Sequence, residues 1–249
     1  MYLVQMERSI NPVAYIHTDF PEKFGIPRQS TLVPELTGVI TFTKEFQDPA
    51  AIRGIEEYSH LWLLWGFSES EWDGKTMTVH PPRLGGKVKK GIFATRSPFR
   101  PNGIGLSCVK LEQIIDAGRE GCQLLVSGVD LLDGTPIYDI KPYMPYADDI
   151  HDARGGFGQA HKDFKAEVEF PEELLNILPA DKRAAAVHLL EQDPRAAYNK
   201  APDYVFGLSF AGYDIRFTAQ RCSAADGNEY DRLVVCDCIK TDEGFKKIK

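Results

Sequence analysis

The sequence lacks both a long apolar run and the basic-then-apolar start of a secretory signal. Its longest aliphatic and aromatic run, Leu61 to Trp65, is far shorter than the roughly 20 residues that a membrane-spanning helix needs. The first eleven residues interrupt their apolar positions with Gln5, Glu7 and Arg8, and they offer no cleavage site of small residues. We therefore expect a cytoplasmic protein with no membrane association.

Cysteine is scarce, and its spacing lacks the pairs that a disulfide framework or a zinc site uses. The five cysteines include no C-x-x-C pair, which predicts reduced thiols. Cys236 and Cys238 alternate within an apolar run, so an ordinary strand would place both side chains on one face. Such a pair is more often packed than metal-binding, and we expect no bound metal.

Convincing long helices are also lacking up to about residue 145, where short β-rich runs alternate with glycine and proline. The predicted strands are Leu36–Thr43, Tyr58–Phe67, Gly91–Arg96, Ile104–Leu111, Gln123–Val129 and Thr135–Ile140. Only Pro49–Glu57 has helical signals, with Asp48 as the cap. Six strands without crossover helices favour a mainly β fold, with a closed or nearly closed antiparallel-rich barrel, over a doubly wound sheet.

The pattern changes after residues 147–162, a polar and glycine-rich stretch that is typical of a linker. Apolar spacing then predicts the helices Pro171–Leu178 and Asp181–Gln192. Three alternating runs follow them, Asp203–Phe210, Tyr213–Ala219 and Arg232–Ile239. We therefore predict two domains: a β-barrel in residues 1–150, and the linker with a small α+β domain in residues 151–249.

Acidic residues outnumber basic ones over the whole chain, but they are missing from one long segment. The formal net charge is −7, whereas Lys75 to Leu111 contains eight Lys or Arg and no Asp or Glu. This basic segment suits a phosphate-rich partner. A solvated surface loop is the alternative, because runs of charge usually lie in solvent.

The motif richest in functional residue types lies between Gly91 and Ser107. Its prolines and glycines predict a fixed turn that brings together backbone N–H groups, an aromatic ring and the guanidinium groups of Arg96 and Arg100. This combination suits an anionic and aromatic ligand such as a nucleotide-like cofactor. The alternative is a rigid connector between two barrel strands, with both arginines as surface charges.

A second motif begins with the turn Asp133-Gly134-Thr135-Pro136, which follows an apolar strand. The side chains of Asp139, Lys141 and Tyr143 then alternate outward, and we expect them to converge on the same barrel mouth. A carboxylate there could bind a ribose hydroxyl or accept a proton. Alternatively, Asp133-Gly134 is only a hairpin turn, which is a frequent use of this dipeptide.

The sequence has no G-x-S-x-G, no P-loop and no G-x-G-x-x-G between a strand and a helix, so hydrolase, P-loop and Rossmann functions lack specific support. Instead, motifs from about residue 8 to about residue 240 resemble the TsaA/YaeB-like family of tRNA methyltransferases. These motifs are Arg28-Gln29, Ser59–Trp62, Pro81–Gly86, Phe93–Gly105, Asp130–Pro136, Asp139–Tyr143 and Gln192–Arg195, followed by Tyr198.

The resemblance implies a single-sheet β-barrel that binds S-adenosylmethionine without a Rossmann fold and usually forms a homodimer. It also implies N6-methylation of N6-threonylcarbamoyladenosine at position 37 of certain tRNAs. The positions that match the family's cofactor contacts are Pro27, Arg28, Gln29, Phe67, Ser68, Glu69, Arg96, Leu106, Asp133, Gly134, Thr135 and Pro136. One departure is Gly103, where the family often has a bulkier residue.

Methyl transfer from a sulfonium requires alignment of donor, methyl and acceptor, and a group that accepts the proton of the amine. Asp139 and Tyr143 are the candidates for this proton, and Asn102 or Lys141 would orient the base. The threonylcarbamoyl carboxylate of the substrate would meet Arg100 or Lys141. A base in an anticodon loop is already unpaired, so it can enter the site by splaying and stacking.

The residues that we predict to bind tRNA are Lys87, Lys89, Lys90, Arg100, Arg195 and Tyr198. Arg195 and Tyr198 offer a guanidinium and a ring for a phosphate or a splayed base, unless this stretch is only a helix-ending turn. The alternative functions are a sensor that binds S-adenosylmethionine without catalysis and a methyltransferase that acts on a small metabolite. Neither alternative needs the basic segment.

Overall fold

The computed structural model describes residues 9–81, 88–116, 118, 121–159, 164–195, 204–223 and 229–241. Its strands are β1 (Ala14–Thr18), β2 (Thr37–Phe42), β3 (His60–Gly66), β4 (Thr78–Val79), β5 (Lys90–Gly91), β6 (Ile104–Asp116), β7 (Cys122–Ser127), β8 (Thr135–Pro142), β9 (Glu167–Glu169), β10 (Phe206–Phe210), β11 (Tyr213–Ser223) and β12 (Glu229–Lys240). Its α-helices are α1 (Pro145–Asp148), α2 (Gly156–Gln159), α3 (Glu172–Leu175) and α4 (Ala180–Glu191).

Six strands close into a barrel in the order β1-β2-β7-β6-β3-β8, and every neighbouring pair is antiparallel. Alternation of apolar side chains explains the closure, because one face of each strand points into the lumen. In β3, for example, Leu61, Leu63 and Trp65 are buried, whereas Trp62 and Leu64 are partly exposed on the outer face. The predicted mainly β, single-sheet barrel is confirmed.

The antiparallel order brings three connections to the same end of the barrel. Residues 19–36 join β1 to β2, residues 67–103 lie between β3 and β6, and residues 128–134 join β7 to β8. We call this end the barrel mouth. It collects segments that are far apart in sequence, and it is therefore the place where distant motifs can form one site.

The predicted strand Gly91–Arg96 is wrong beyond its first residue. The chain pairs with β4 only at Lys90–Gly91 and then turns as a 3-10 helix over Ile92–Ala94. This turn buries Ile92, and both the backbone N–H and the hydroxyl of Thr95 donate to the Ile92 carbonyl oxygen.

The predicted helix Pro49–Glu57 is also wrong, because the chain forms two short 3-10 turns, Pro49–Ile52 and Ile55–Glu57. Gly54 separates the two turns with a φ of 89°. This left-handed conformation interrupts the helical hydrogen bonding, and glycine adopts it without a steric cost. Asp48 does cap the first turn, as predicted, by accepting a hydrogen bond from the Ala50 N–H.

After the barrel, the stretch at residues 147–162 contains the short helix α2. A four-stranded sheet then forms in the order β10-β11-β12-β9, in which β9 runs parallel to β12 and the other pairs are antiparallel. Together with α3 and α4, this sheet forms the small α+β unit that the sequence predicts.

A β-bulge in β12 contradicts the expectation that Cys236 and Cys238 share one face. Val235 and Asp237 pair with consecutive residues of β11, so that Cys236 is an extra residue between them. The extra residue reverses the alternation of the side chains. Cys238 is therefore buried, whereas Cys236 is exposed.

The C-terminal unit packs directly against the first connection at the barrel mouth. The rings of Phe20 and Phe210 lie 5.6 Å apart, and both are fully buried. The Lys182 ammonium lies 2.6 Å from a carboxylate oxygen of Asp19. Since these contacts join α4 and β10 to residues 19–20, the C-terminal unit and the barrel share one continuous apolar core.

Candidate functional site at the barrel mouth

The barrel mouth brings together most of the residues that the sequence predicts as cofactor contacts. Its three connections contain Pro27, Arg28, Gln29, Phe67, Ser68, Glu69, Arg96, Asp133 and Gly134, and β8 begins with Thr135 and Pro136. The remaining residue, Leu106, lies near the same end of β6, and its side chain is exposed on the outer face of the barrel.

Side chains link these connections to one another. The guanidinium of Arg96 donates a hydrogen bond to the side-chain carbonyl of Gln29. The ammonium of Lys23 donates to the backbone carbonyl of Glu69 and to the hydroxyl of Ser70, the latter at 3.0 Å. The connection at residues 19–36 therefore contacts the segment from β3 to β6 at two points.

The turn at Asp133 and Gly134 is built by backbone and side-chain hydrogen bonds. A carboxylate oxygen of Asp133 accepts the Thr18 N–H at 3.0 Å, and Gly134 has a φ of 73°. The Thr135 hydroxyl donates to the Leu132 carbonyl at 2.7 Å, and Thr135 is only 2% exposed. Asp133 thus keeps an accessible carboxylate, whereas the Thr135 side chain is used within the turn.

Arg28 connects the mouth to the C-terminal unit. Its guanidinium donates to the backbone carbonyl oxygens of Asp193 and Arg195, at 3.5 and 3.4 Å. These residues form the turn after α4. A cleft of about 340 Å³ lies between this turn and residues 23–28. Residues 23–28, which include the predicted cofactor positions Pro27 and Arg28, therefore form one wall of an interface with the C-terminal unit.

Asp139 and Lys141 lie on the outer face of the barrel and form an ion pair of 2.7 Å. Asp139 is paired with Leu64, which is paired on its other side with Leu106, so these three side chains form one row across β8, β3 and β6. The row lies close to the mouth because Leu106 is the third residue of β6.

The expected convergence of Asp139, Lys141 and Tyr143 on the mouth is wrong for Tyr143 within a single chain. The Tyr143 N–H donates to the carbonyl of His60, which begins β3 at the opposite end of the barrel. At about 3.4 Å per residue, the eight steps from Thr135 to Tyr143 span roughly 27 Å. Partial desolvation, followed by the negative charge of Asp149, raises the pKa of Tyr143, so the phenol stays protonated near neutral pH and is poorly suited to accept a proton.

Asn102 lies at the mouth, in a short 3-10 turn immediately before β6. Asn102 and Gly103 have positive φ values of 68° and 56°. The Gly103 carbonyl accepts the N–H of Phe67 at 2.9 Å, which ties this turn to the end of β3. A Cβ at Gly103 would meet open space, so the backbone conformation rather than a lack of room favours glycine there.

Arg195 does not fit its predicted role in binding tRNA. Its side chain is 7% exposed and lies 2.8 Å from a carboxylate oxygen of Asp193 and 3.1 Å from one of Asp231. A guanidinium that is held by two carboxylates within the protein is not available to a phosphate. Arg195 instead stabilises the turn that Arg28 contacts.

The basic segment retains accessible cations near the mouth. Lys89 is exposed, and the ammonium of Lys90 lies 5.8 Å from the centre of the Phe157 ring. Arg100 donates to the backbone carbonyl of Thr95 at 3.2 Å. Two of the predicted tRNA-binding residues, Lys87 and Tyr198, lie outside the described residues.

Asp130 begins one of the motifs of the family resemblance, but the sequence suggested no role for it, and it is the carboxylate of the mouth for which a large pKa shift is found. Burial raises its pKa to about 6, although hydrogen bonds from Ser107 and Ser30 and the charge of Arg96 oppose this rise. Its position between the end of β7 and the Asp133 turn was a signal that could have found it. Phe93, which begins another of these motifs, was also given no role, and its ring is 79% exposed within the basic segment.

Two further properties concern the described part of the chain only. No helix there is long and apolar enough to cross a membrane. No group of three or more His, Cys, Asp or Glu there is arranged to hold a metal ion.

Comparison with known proteins adds an independent line of argument. Residues 15–149 match the family described as tRNA-methyltransferase O N-terminal domain. The tRNA (adenine(37)-N6)-methyltransferase of Escherichia coli is 39% identical over 197 residues, which cover 77% of this chain and 83% of that protein. A Pseudomonas aeruginosa protein described as "Putative S-adenosylmethionine-dependent methyltransferase RcsF" is 42% identical over 220 residues, which cover 85% of this chain and 93% of that protein.

A solved structure extends this similarity to the fold. The crystal structure of TrmO from Pseudomonas aeruginosa aligns with a TM-score of 0.72 and 34% sequence identity, and the alignment covers 94% of this chain and 100% of that chain. The alignment therefore includes the C-terminal unit as well as the barrel. By sequence and by fold, the chain belongs to the TrmO family.

Proposed function

We propose that this protein is an S-adenosylmethionine-dependent tRNA methyltransferase that methylates N6 of N6-threonylcarbamoyladenosine at position 37. The Escherichia coli relative is named for N6-methylation of adenine 37 in tRNA, and the Pseudomonas aeruginosa relative for its use of S-adenosylmethionine. The observation that carries the proposal is the meeting of three separate connections, with nine of the family's cofactor positions, at one barrel mouth.

The chemical groups at the mouth fit this cofactor. The Arg96 guanidinium suits the carboxylate of the methionine part, the accessible Asp133 carboxylate suits ribose hydroxyls, and the Phe67 ring offers an apolar wall. When bound, S-adenosylmethionine supplies a methyl group on a positively charged sulfur. The protein must then hold the substrate amine in line with that methyl group and accept the amine proton.

Asp139 is the proton acceptor that the geometry favours among the predicted candidates. It shares a row with Leu106, a family cofactor position, whereas Tyr143 lies toward the other end of the barrel. The Lys141 ammonium lies 2.7 Å from the Asp139 carboxylate and orients it. Asn102, which is exposed at the mouth, orients the substrate base.

The protein acts as a homodimer in this proposal. The outer face of β8, β3 and β6 carries Trp62, Leu64 and Leu106, which are partly or largely exposed. A second copy would cover this apolar face and would place its own residues beside Asp139. Light scattering tests the mass in solution, and Leu106→Asp should convert a dimer to a monomer.

The tRNA meets the basic segment and the C-terminal unit. Lys89, Lys90 and Arg100 attract the phosphates, and the exposed rings of Phe93 and Phe99 stack on unpaired bases of the anticodon loop. In this proposal, residues 1–150 hold the cofactor and residues 151–249 contribute to tRNA recognition. Because tRNA is the substrate, we place the protein in the cytoplasm.

Nucleoside mass spectrometry tests the proposal directly. Purified protein is incubated with S-adenosylmethionine and threonylcarbamoylated tRNA, and the digested nucleosides should gain one methyl group. The free modified nucleoside, which lacks phosphates and a loop, should not react. Cofactor binding without any methylated product would favour the sensor function instead, and an absence of cofactor binding would exclude both functions.

A further inference from the structure

A chain of hydrogen bonds runs through the inside of the barrel just below the mouth. The indole N–H of Trp65 donates to the Ser107 hydroxyl at 2.9 Å, and this hydroxyl donates to a carboxylate oxygen of Asp130 at 2.6 Å. Trp65 and Ser107 are buried, so their polar atoms depend on these bonds. The Phe67 ring packs edge-on against Trp65 with 4.4 Å between the ring centres.

Asp130 also reaches the first connection of the mouth. The backbone N–H of Ser30 donates to the Asp130 carboxylate, and the positive charge of Arg96 attracts it. The Ser30 hydroxyl in turn accepts the Cys108 N–H of β6 at 3.1 Å. Asp130 therefore links β3, β6 and the segment that immediately follows Gln29.

An ionised Asp130 is the form that these contacts require. Both Ser107 and Ser30 act as donors to Asp130. An ionised carboxylate accepts hydrogen bonds with both oxygens, whereas a protonated carboxyl group also carries an O–H that needs an acceptor of its own. Burial nevertheless raises the pKa of Asp130 to about 6, so the ionised form is held at a cost to stability. Groups that reduce stability in this way are concentrated at functional sites.

We infer that Asp130 is a positioning residue for the methyltransferase reaction: its carboxylate holds the Ser30 backbone and the Ser107–Trp65 pair, and thereby sets the geometry of Gln29, Arg96 and Phe67 around the cofactor. This inference rests on the proposed function for the identity of the cofactor. The contact between Asp130 and the connection that contains Ser30 does not depend on the identity of the cofactor.

Asp130→Asn tests the inference, and Glu112→Gln provides the matched control. Glu112 accepts a hydrogen bond of the same length, 2.6 Å, from Ser127, but on the outer face of the barrel and beside Lys110. Asp130→Asn should bind S-adenosylmethionine roughly tenfold more weakly, because a small displacement of binding groups lowers affinity and rate strongly. Its kcat at saturating cofactor should fall less than its kcat/KM, and Glu112→Gln should resemble the wild type in both.

The pH profile provides a readout that general destabilisation would not change. The activity of the wild type should decline as the pH falls through about 6, where Asp130 takes up a proton, and Arg96 is the charged group that faces it. Asp130→Asn should lack this acidic limb. A profile identical to that of the wild type would contradict the inference.

Hydrogen exchange separates a failure of this inference from a failure of the proposed function. The amide of Ser30 should exchange faster in Asp130→Asn than in the wild type or in Glu112→Gln. Unchanged exchange at Ser30 together with unchanged cofactor affinity would overturn the positioning role. If Ser30 exchanges faster in Asp130→Asn but the wild type binds no S-adenosylmethionine, the role of Asp130 in holding the loop is supported and the proposed function is refuted.

Discussion

Replacing Asp130 by Asn should make the free energy of unfolding less dependent on pH. Burial raises the pKa of Asp130 to about 6 in the folded protein, compared with 3.8 for an ordinary aspartate. Between these two values the folded state retains a proton that the unfolded state releases. The free energy of unfolding of the wild type therefore falls as the pH rises through this window.

The size of this effect follows from the two pKa values. A difference of about two units corresponds to roughly 3 kcal/mol at 1.36 kcal/mol per unit. At about pH 3 both states are largely protonated and the loss is nearly absent, whereas at pH 7.5 the loss is complete. Asn cannot ionise, so the stability of Asp130→Asn relative to the wild type should rise by about 3 kcal/mol between these two pH values.

Urea unfolding, followed by tryptophan fluorescence at the two pH values, measures this difference. The other titrating carboxylates are present in both proteins, and their contributions cancel in the comparison. Weaker hydrogen bonds of the Asn side chain change the free energy of unfolding of Asp130→Asn by the same amount at both pH values. A change of less than about 0.5 kcal/mol, which is the range of ordinary additivity errors, would refute the reasoning that burial destabilises the ionised Asp130.

Three further predictions concern the mouth and the C-terminal unit. Arg96→Ala should weaken S-adenosylmethionine binding in calorimetry and lower the melting temperature only slightly, because Arg96 is exposed but bonds Gln29 and attracts the ionised Asp130; unchanged affinity would exclude it as a cofactor contact. Phe93→Ala should raise the KM for tRNA several-fold and leave cofactor affinity unchanged, because its exposed ring is expected to stack on an unpaired base; an unchanged KM would remove that role. Arg195→Ala should lower the free energy of unfolding by about 3 kcal/mol or more, because it leaves the carboxylates of Asp193 and Asp231 without their buried cation. The control is Arg216→Ala, which breaks a more exposed pair and should cost less than about 1 kcal/mol in the same denaturation experiment.

Local patterns were sufficient to predict much of the barrel. The alternation of apolar residues around Leu61 and Leu63 determines which face of β3 is buried, since side chains alternate across any regular strand. Asp139 and Lys141 also point outward as predicted, but simple alternation does not explain this: Thr135 and Ile137 are buried, and a register shift at Tyr138 turns Asp139 outward. β1 was missed even though Ala14 and Ile16 alternate with more polar residues, because five residues give a weak signal.

The tertiary structure decided every feature that depends on strand direction, register or distant partners. Asp133 and Tyr143 lie toward opposite ends of the barrel simply because β8 separates them, whereas the order of the six strands decided which other connections meet Asp133. One inserted residue, Cys236, reversed the alternation that the sequence alone predicts for β12. Arg195 lost its predicted role because Asp231, from a distant strand, helps to neutralise it. The importance of Asp130 could be recognised only when β7, β6 and the residues after β1 met, because burial and hydrogen-bond partners are properties of the folded chain.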